Sequence, residues 1–471
     1  MAKKDFPGIH FYDQDFVDVY DQTWAWVEEY WQSGEKSGFP NKIFNSPEAT
    51  TIDQLESIFS TFFLVYSNRI YPCTPQLDWF YNKQEADGAI RWKYSVDDGS
   101  PVLTDDNPMG VSLPLFSWAE LNLFHKIGNK KRIKDIMPAL QSYFSWLENN
   151  FKDENDLYRV PLAATGMLNS PRKDAVYHLD FNMAMAVNAW YMSDLGDILN
   201  DREISFHYKR QYFSLKTRIN QTMWNEEDGF YYDLNENNEQ IRVKHIGAYW
   251  SFLGMLPNDA KADRLLEHLK NPDTFGTPNP FPSLGANEPD FDEAGGGYRG
   301  SVYPYLTFMV IKGLERYSFF ELARESSIKH LYYLLDTLHP EGKRGSVWEA
   351  YLPTKEGPAV WEGNPEFPRP LYLHFVGLST IALMIENVIG LVVSLPRKTV
   401  DWIVPTLEVM GIDNLSLKRN LITILSNKSS RGWEIRLESE KLYYFTIDII
   451  GDKRKTLPIP SGKCSMLIDK L

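Results

Sequence analysis

Four stretches of this 471-residue chain bring carboxylates, aromatics, glycines and arginine within short reach of one another. They are LDWFYNKQEADGAIRW (Leu77–Trp92), TGMLNSPRKDAVYHLDFN (Thr165–Asn182), EPDFDEAGGGYRGSVYP (Glu288–Pro304) and SVWEAYLPTKEGPAVWEG (Ser346–Gly363). Carboxylates beside aromatic rings suit a sugar, whose C–H faces stack on the rings while fixed polar groups read its hydroxyls. Glu349 has Trp348 and Tyr351 as flanks that could strip water from its carboxylate, and Lys343 or Arg344 could hold it ionised. Arg299 offers a planar fork of donors to paired hydroxyls or a carboxylate, and Gly295 to Gly297 allow close backbone approach to a ligand. Trp79, Tyr81, Gln84, Tyr298, Trp348 and Trp361 are expected to stack on a sugar or read its hydroxyls. Asp87, Asn169 and Arg172 are further expected contacts. For each aromatic, core packing is the competing reading. No H-x-x-x-H pair or carboxylate cluster argues for a catalytic metal, and no cofactor is expected.

The order of the motifs adds a resemblance. GMLNSPR (Gly166–Arg172) is similar to a G-M-D-N-S-P-R motif, and GGYRGSVYPYLTFMVIKGL (Gly296–Leu314) to a tryptophan-arginine-glycine helix start. WEAYLPTKEG (Trp348–Gly357) is similar to W-E-x-Y-x-P-x-x-G, and HFVGLS (His374–Ser379) to the opening of a last inner helix. Over about residues 70 to 390 the chain thus resembles the clan of (α/α)6 glycosidases that includes trehalase, processing α-glucosidase I and the mannosylglycerate and glucosylglycerate hydrolases. The resemblance implies hydrolysis with inversion and places the general base at Glu349. Glycoside hydrolysis needs one carboxylic acid for the leaving oxygen and a second carboxylate to activate water or attack carbon. The resemblance puts that acid at the Asp of G-M-D-N-S-P-R, where this chain carries Leu168, which has no proton to give. Asp174 and then Asp292 are the expected substitutes, with Asp290, Glu293 and Asp87 behind them. Asp180 is expected to cap the helix that follows it. Long connectors favour an exo-acting enzyme on a small glycoside. The alternative is a non-hydrolytic sugar-binding protein that kept the pocket and lost the acid.

These residues need helices to hold them. Apolar residues at 3.6 spacing predict helices over Phe11–Gln32 and Ile52–Ser67, the latter opened by Thr51 or Asp53. Helical hairpins are predicted at Leu113–Lys126 with Ile133–Asn149, at Asp180–Leu195 with Phe206–Trp224, and at Tyr303–Tyr317 with Phe319–Leu338. Val376–Leu395 closes the series; it is apolar enough to suggest a membrane span, but Glu386 and Asn387 near its middle favour a buried core helix. Between the pairs lie long connectors, roughly Pro72–Met109, Leu157–Leu179, Thr274–Ser301 and Pro340–Pro370, of the kind that carries function. The expected fold is all-α, an (α/α)6 toroid over residues 1–395, with its connectors gathered at one mouth. Alternating segments at Leu421–Leu425, Gly432–Leu437 and Lys441–Ile450 predict a small C-terminal β domain over residues 396–471.

Composition agrees. Hydrophobic residues make up 43% of the chain and only two cysteines occur, Cys73 and Cys464, so the core needs no disulfide framework. The net charge of −14 repels polyanions and argues against nucleic acid. Met1–Phe16 has no apolar stretch of signal-peptide length, so a cytoplasmic place is expected. The 14 Trp, 26 Tyr and 27 Phe serve either a sugar site or an aromatic core. Oligomeric state is not legible.

Overall fold

The computed structural model describes residues 6–33, 42–338, 345–418, 420–430, 432–450, 453–459 and 462–468. Its helices are α1 (Gln14–Glu29), α2 (Gln54–Leu64), α3 (Thr74–Asn82), α4 (Phe116–Ile127), α5 (Lys130–Phe151), α6 (Leu179–Leu199) and α7 (Arg202–Thr222). They continue with α8 (Trp250–Leu253), α9 (Asp259–Lys270), α10 (Pro304–Arg316), α11 (Phe320–Leu335) and α12 (Leu373–Gly377), which runs on as a π-helix over Leu378–Val388.

Local chemistry sets these boundaries. The Asp53 carboxylate accepts the backbone N–H groups of Leu55 and Glu56 and so opens α2. Gly128, at φ 72°, ends α4, and the Asn129 side chain accepts from Arg132 N to start α5, which makes the expected Gly-Asn turn. Asp201 caps α7 in the same way. Gly196 brings α6 and α7 together, since a Cβ there would stand 2.8 Å from the backbone nitrogen of Ser205.

The helix contacts run in a circuit. Helix α2 packs on α4, α4 on α6, α6 on α8, α8 on α10, α10 on α12 and its π-helical extension, and α12 on α2. Outside it, α3 lies on α2, α5 on α4 and α6, α7 on α6, and α11 on α10 and the π-helix, while α1 packs on the π-helix and α11. Aromatic rings fill the middle. Phe59 of α2 lies 6.0 Å from Trp118 of α4, 5.4 Å from Tyr305 and 6.4 Å from Phe308 of α10, and 6.3 Å from Phe375 of α12, all edge-on. Much of the aromatic content is therefore core.

Glu386, the charge that makes Val376–Leu395 a poor membrane span, sits in a buried ion cluster. It pairs with Lys126 and, at 2.6 Å, with Lys312, and accepts the Tyr66 hydroxyl at 2.5 Å. Burial raises its pKa, but the two ammonium groups outweigh that and hold it at about 2. Among the described residues no helix is long and apolar enough to cross a membrane.

Several expectations need correction. The last helix stops at Val388 rather than Leu395; Gly390, at φ 90°, turns the chain and Leu391–Ser394 is already a strand. The β region thus begins before residue 396. Pro72–Met109 is not an open connector, because α3 occupies Thr74–Asn82. Helices α8 and α9 are additional to the expected set, although Asn258 caps α9 and Ala262, Leu265 and Leu269 form its buried stripe. Asp180 lies in the first turn of α6 and is not its cap; the distant Asp233 accepts Leu179 N at 2.6 Å instead.

The C-terminal strands form two sheets. One pairs Leu391–Ser394, Thr399–Val404, Tyr443–Ile449 and Lys453–Ile459 in that order. The other runs Gly8–His10, Gly411–Leu417, Asn420–Ser429, Gly432–Ser439 and Gly462–Ile468. Its edge strand comes from the N-terminal region, with Ile9 opposite Ile412, so the helical and β regions share one sheet.

Candidate active site

Glu349 is held between two neighbouring connectors. Its N–H donates to Arg369 O at 3.0 Å, and Tyr351 and Val302 exchange backbone bonds at 2.9 Å. The Glu349 side chain is only 11% exposed, and the Arg369 guanidinium meets it with two bonds, Nε to Oε2 at 2.9 Å and Nη2 to Oε1 at 2.8 Å. Arg369 N adds a third, to Oε2 at 3.3 Å. The guanidinium lies 4.0 Å from the Tyr372 ring centroid, a cation–π contact.

Glu56, in the first turn of α2, faces the same arginine. Its Oε1 is 3.6 Å from Arg369 Nη2 and accepts the Tyr372 hydroxyl, while Oε2 is 3.6 Å from His374 Nε2. Burial pushes His374 down to about 3, and the Arg369 charge pushes the same way, so the imidazole is neutral at neutral pH.

The glycine-rich connector forms another wall. Gly295, Gly296 and Gly297 all take positive φ. Asn169 clips its own loop to them, donating to Gly296 O and accepting from Tyr298 N, both at 2.8 Å. A Cβ at Gly297 would come within 3.0 Å of the Trp361 ring and 2.7 Å of Asn169 Oδ1, so only glycine allows this packing. Tyr298 stacks flat on Tyr303 at 4.2 Å, and the Tyr305 hydroxyl donates to the Tyr298 hydroxyl at 3.3 Å. The Tyr298 phenol is pushed up first by burial, with the Glu349 charge adding to it. Leu168 projects from the Asn169 loop and is 51% exposed.

The expected site residues therefore divide. Glu349, Trp348, Asn169, Tyr298 and Trp361 gather around the junction of these connectors. Trp348 is half-buried, its N–H donating to the Tyr351 hydroxyl at 2.9 Å. Lys343 and Arg344, the expected partners of Glu349, lie outside the described residues; Arg369 makes the pair. Arg299 does not turn to Glu349, because Asp290 takes its guanidinium at 3.0 Å on the exposed surface. Arg172 is buried, bonded to Asp180 at 2.7 Å, Asp233 at 3.3 Å and Thr165 at 3.0 Å, so its guanidinium braces the fold rather than meeting Glu349. Despite burial, Arg172 and His245 hold Asp233 well below the usual carboxylate range.

The first segment is structural. Trp79 is 6% exposed, the Tyr81 hydroxyl donates to Glu120, and Gln84 donates to Gly88 O and Ala139 O. Asp87 accepts from Ala89 N within a tight turn. All belong to the α3 region and its contacts with α4 and α5; Trp79 and Tyr81 pack there, while Asp87 is exposed. Asp174 sits on an exposed turn at φ 66° and bonds neither to Arg172 nor to the Glu349 cluster; it borders a separate hollow of 560 Å³ with Arg159 and Pro161. Asp292 is nearer the connector: Oδ1 accepts from Ala294 N at 2.9 Å, and a Cβ on Gly296 would strike Oδ2 at 2.5 Å. Glu293 is exposed. Among the described residues no group of His, Cys, Asp and Glu is arranged to hold a metal ion.

Sequence reasoning misses Glu56, Arg369 and Tyr372. Asp53 followed three residues later by Glu56 is a capping pattern pointing to the start of α2. Arg369 lies between Pro368 and Pro370, with nothing local to announce its partner twenty residues upstream.

The class of the protein, a glycosidase, is shown by its family. Within that class, the Mannosylglycerate hydrolase MGH1-like glycoside hydrolase domain matches residues 20–367, and the chain belongs to that family. The trehalase C-terminal domain matches residues 390–471. A Borreliella burgdorferi protein (strain ATCC 35210 / DSM 4680 / CIP 102532 / B31), whose description assigns no activity, is 49% identical over 476 residues, covering 100% of both chains. Among solved structures, a sialidase superposes with a TM-score of 0.70 at 14% identity over 93% of this chain, which spans only 40% of the sialidase's length. The GH63 mannosylglycerate hydrolase from Thermus thermophilus, in complex with glucose, gives 0.61 at 16% identity, covering 78% of this chain and 99% of that one. At such identities these two establish likeness of fold.

Proposed function

We propose that the helix circuit is the inner wall of an (α/α)6 toroid, and that Glu349 at its mouth is the general base for exo-acting, inverting hydrolysis of a small glycoside. The observation carrying this reading is the buried Glu349 carboxylate, held by Arg369 and close enough to Tyr298 to raise the pKa of its phenol, with Trp361 against the neighbouring Gly297. That setting offers a carboxylate to orient water and rings to stack a pyranose. An inverting pair needs its carboxyls roughly 6.5–9.5 Å apart. Glu56 is a poor second member, because both carboxylates reach one Arg369 nitrogen, at 2.8 and 3.6 Å, which draws them closer than that range. With Asp174 drawn away, Asp292 is the better candidate for the acid. It borders the connector that Asn169 grips, and its Oδ2 lies against Gly296.

The test is sugar release from a panel of 4-nitrophenyl glycosides and short oligosaccharides, with proton NMR reporting the first-formed anomer. Release of the inverted anomer, lost in Glu349→Gln with the fold retained, is the expected result; the retained anomer would rule inversion out. The exposed Leu168, a side chain with no proton to give, favours the second reading, a protein that binds sugar without cleaving it. Sugar binding with no turnover across the panel would select that reading.

A further inference from the structure

The arrangement around Arg369 is more crowded than a working base requires. A carboxylate has roughly four acceptor sites, and Arg369 takes three of Glu349's through Nε, Nη2 and its own backbone N–H. As it stands, Glu349 has little free acceptor capacity left with which to orient a water.

The same guanidinium has a second place to go. Its side chain is 50% exposed, so it is not locked by packing, whereas Glu56 is only 15% exposed. Glu56 Oε1 is already 3.6 Å from Arg369 Nη2, just beyond hydrogen-bond length. Glu56 meets no ideal cation: its other near neighbour, His374, is neutral. Tyr372 connects the two, donating its hydroxyl to Glu56 and presenting its ring to the guanidinium at 4.0 Å. A planar cation stacked on a ring can turn in its own plane without losing the stacking contact.

We propose that Arg369 is a guard shared by two carboxylates, and that Glu56 is the positioning residue that makes the base available. With the site empty, Arg369 covers Glu349. When a sugar enters, the guanidinium turns on the Tyr372 ring and pairs with Glu56. Glu349 then accepts one proton of a water as the water oxygen bonds to the anomeric carbon, while the glycosidic C–O bond breaks and its leaving oxygen takes the proton of the acid, assigned above to Asp292. Glu56 itself neither gives nor takes a proton. This inference rests on the reading of Glu349 as base, yet one arm of its test needs no turnover.

That arm is the crystal structure of ligand-free Glu349→Gln. With the first carboxylate neutralised, the guanidinium is expected to make its paired bonds to Glu56. A guanidinium that stays on the substituted amide, or swings into solvent, overturns the proposal. The second arm is kinetic, on whichever 4-nitrophenyl hexopyranoside the wild type cleaves fastest. Glu56→Gln is expected to lower kcat by about tenfold or more with KM little changed, the pattern of a step after binding. Glu56→Asp, which keeps the charge, should recover part of the loss. An unchanged kcat in Glu56→Gln, or a loss confined to KM, overturns the proposal too. If no glycoside is cleaved, the hydrolytic reading fails, and the crystal structure alone decides the place of Arg369.

Discussion

At the scale of single residues, the stretch around Glu349 shows its chemistry because a glutamate between tryptophan and tyrosine is a recognisable local pattern. Its partner does not, because the Arg369 pairing forms only when two connectors fold against each other. The same limit explains Arg172 and Arg299, both of which read as ligand-facing from their loops. Buried carboxylates take the first and a surface aspartate the second, and neither pairing has a local signature. Asn169 joins one connector to the next through Gly296 and Tyr298. Asn169→Ala is expected to raise KM several-fold by loosening the connector that carries Tyr298 and packs against Trp361, with only about 1–3 kcal/mol lost in stability. Equal KM values would show that the clip has no part in sugar binding. Glu386 gives a pH prediction. Its folded-state pKa of about 2 lies below the ordinary glutamate value of about 4.3, so its ionised form favours the folded state. That contribution is fully present above roughly pH 5 and fades as pH falls through 4 towards 2. Glu386→Gln should melt lower at neutral pH, and the gap from wild type should narrow in acid. A gap as wide at pH 3 as at pH 7 would contradict this.

At the scale of elements, the hairpins are legible because their turns carry their own signals: Gly128 at positive φ, then the Asn129 cap, then an amphipathic run. What escapes the sequence depends on neighbours. The end of the last helix follows from Gly390 and from the pairing of Leu391–Ser394 with Thr399–Val404, and an unbroken apolar run does not reveal it. Helix α3 reads as loop because nine residues are too few to show a 3.6-residue period, and its place is fixed by packing on α2. The cap of α2 connects element to site, since Asp53 holds the turn from which Glu56 projects. Asp53→Ala is expected to cost about 1 kcal/mol of stability, measured by urea denaturation. It should also weaken turnover, because the first turn carrying Glu56 frays. Full activity with reduced stability would place Glu56 outside the reaction.

At the scale of the whole molecule, a predominantly helical chain with a small C-terminal β region follows from periodicity alone, because 3.6-residue spacing gives way to alternation. The joining of the two regions does not. The strand Gly8–His10 covers the edge of Gly411–Leu417, which would otherwise present unpaired backbone groups. Removing residues 1–10 is expected to lower the melting temperature and promote aggregation, seen by light scattering. An unchanged melting temperature and clear solutions would show that the strand is dispensable. The central claim, that Glu349 does the chemistry, is tested most directly by the ratio of turnover numbers for wild type and Glu349→Gln on the best glycoside of the panel, with circular dichroism recorded on both. The account predicts a loss of about a hundredfold or more with superimposable spectra; comparable turnover numbers in the two proteins would contradict it.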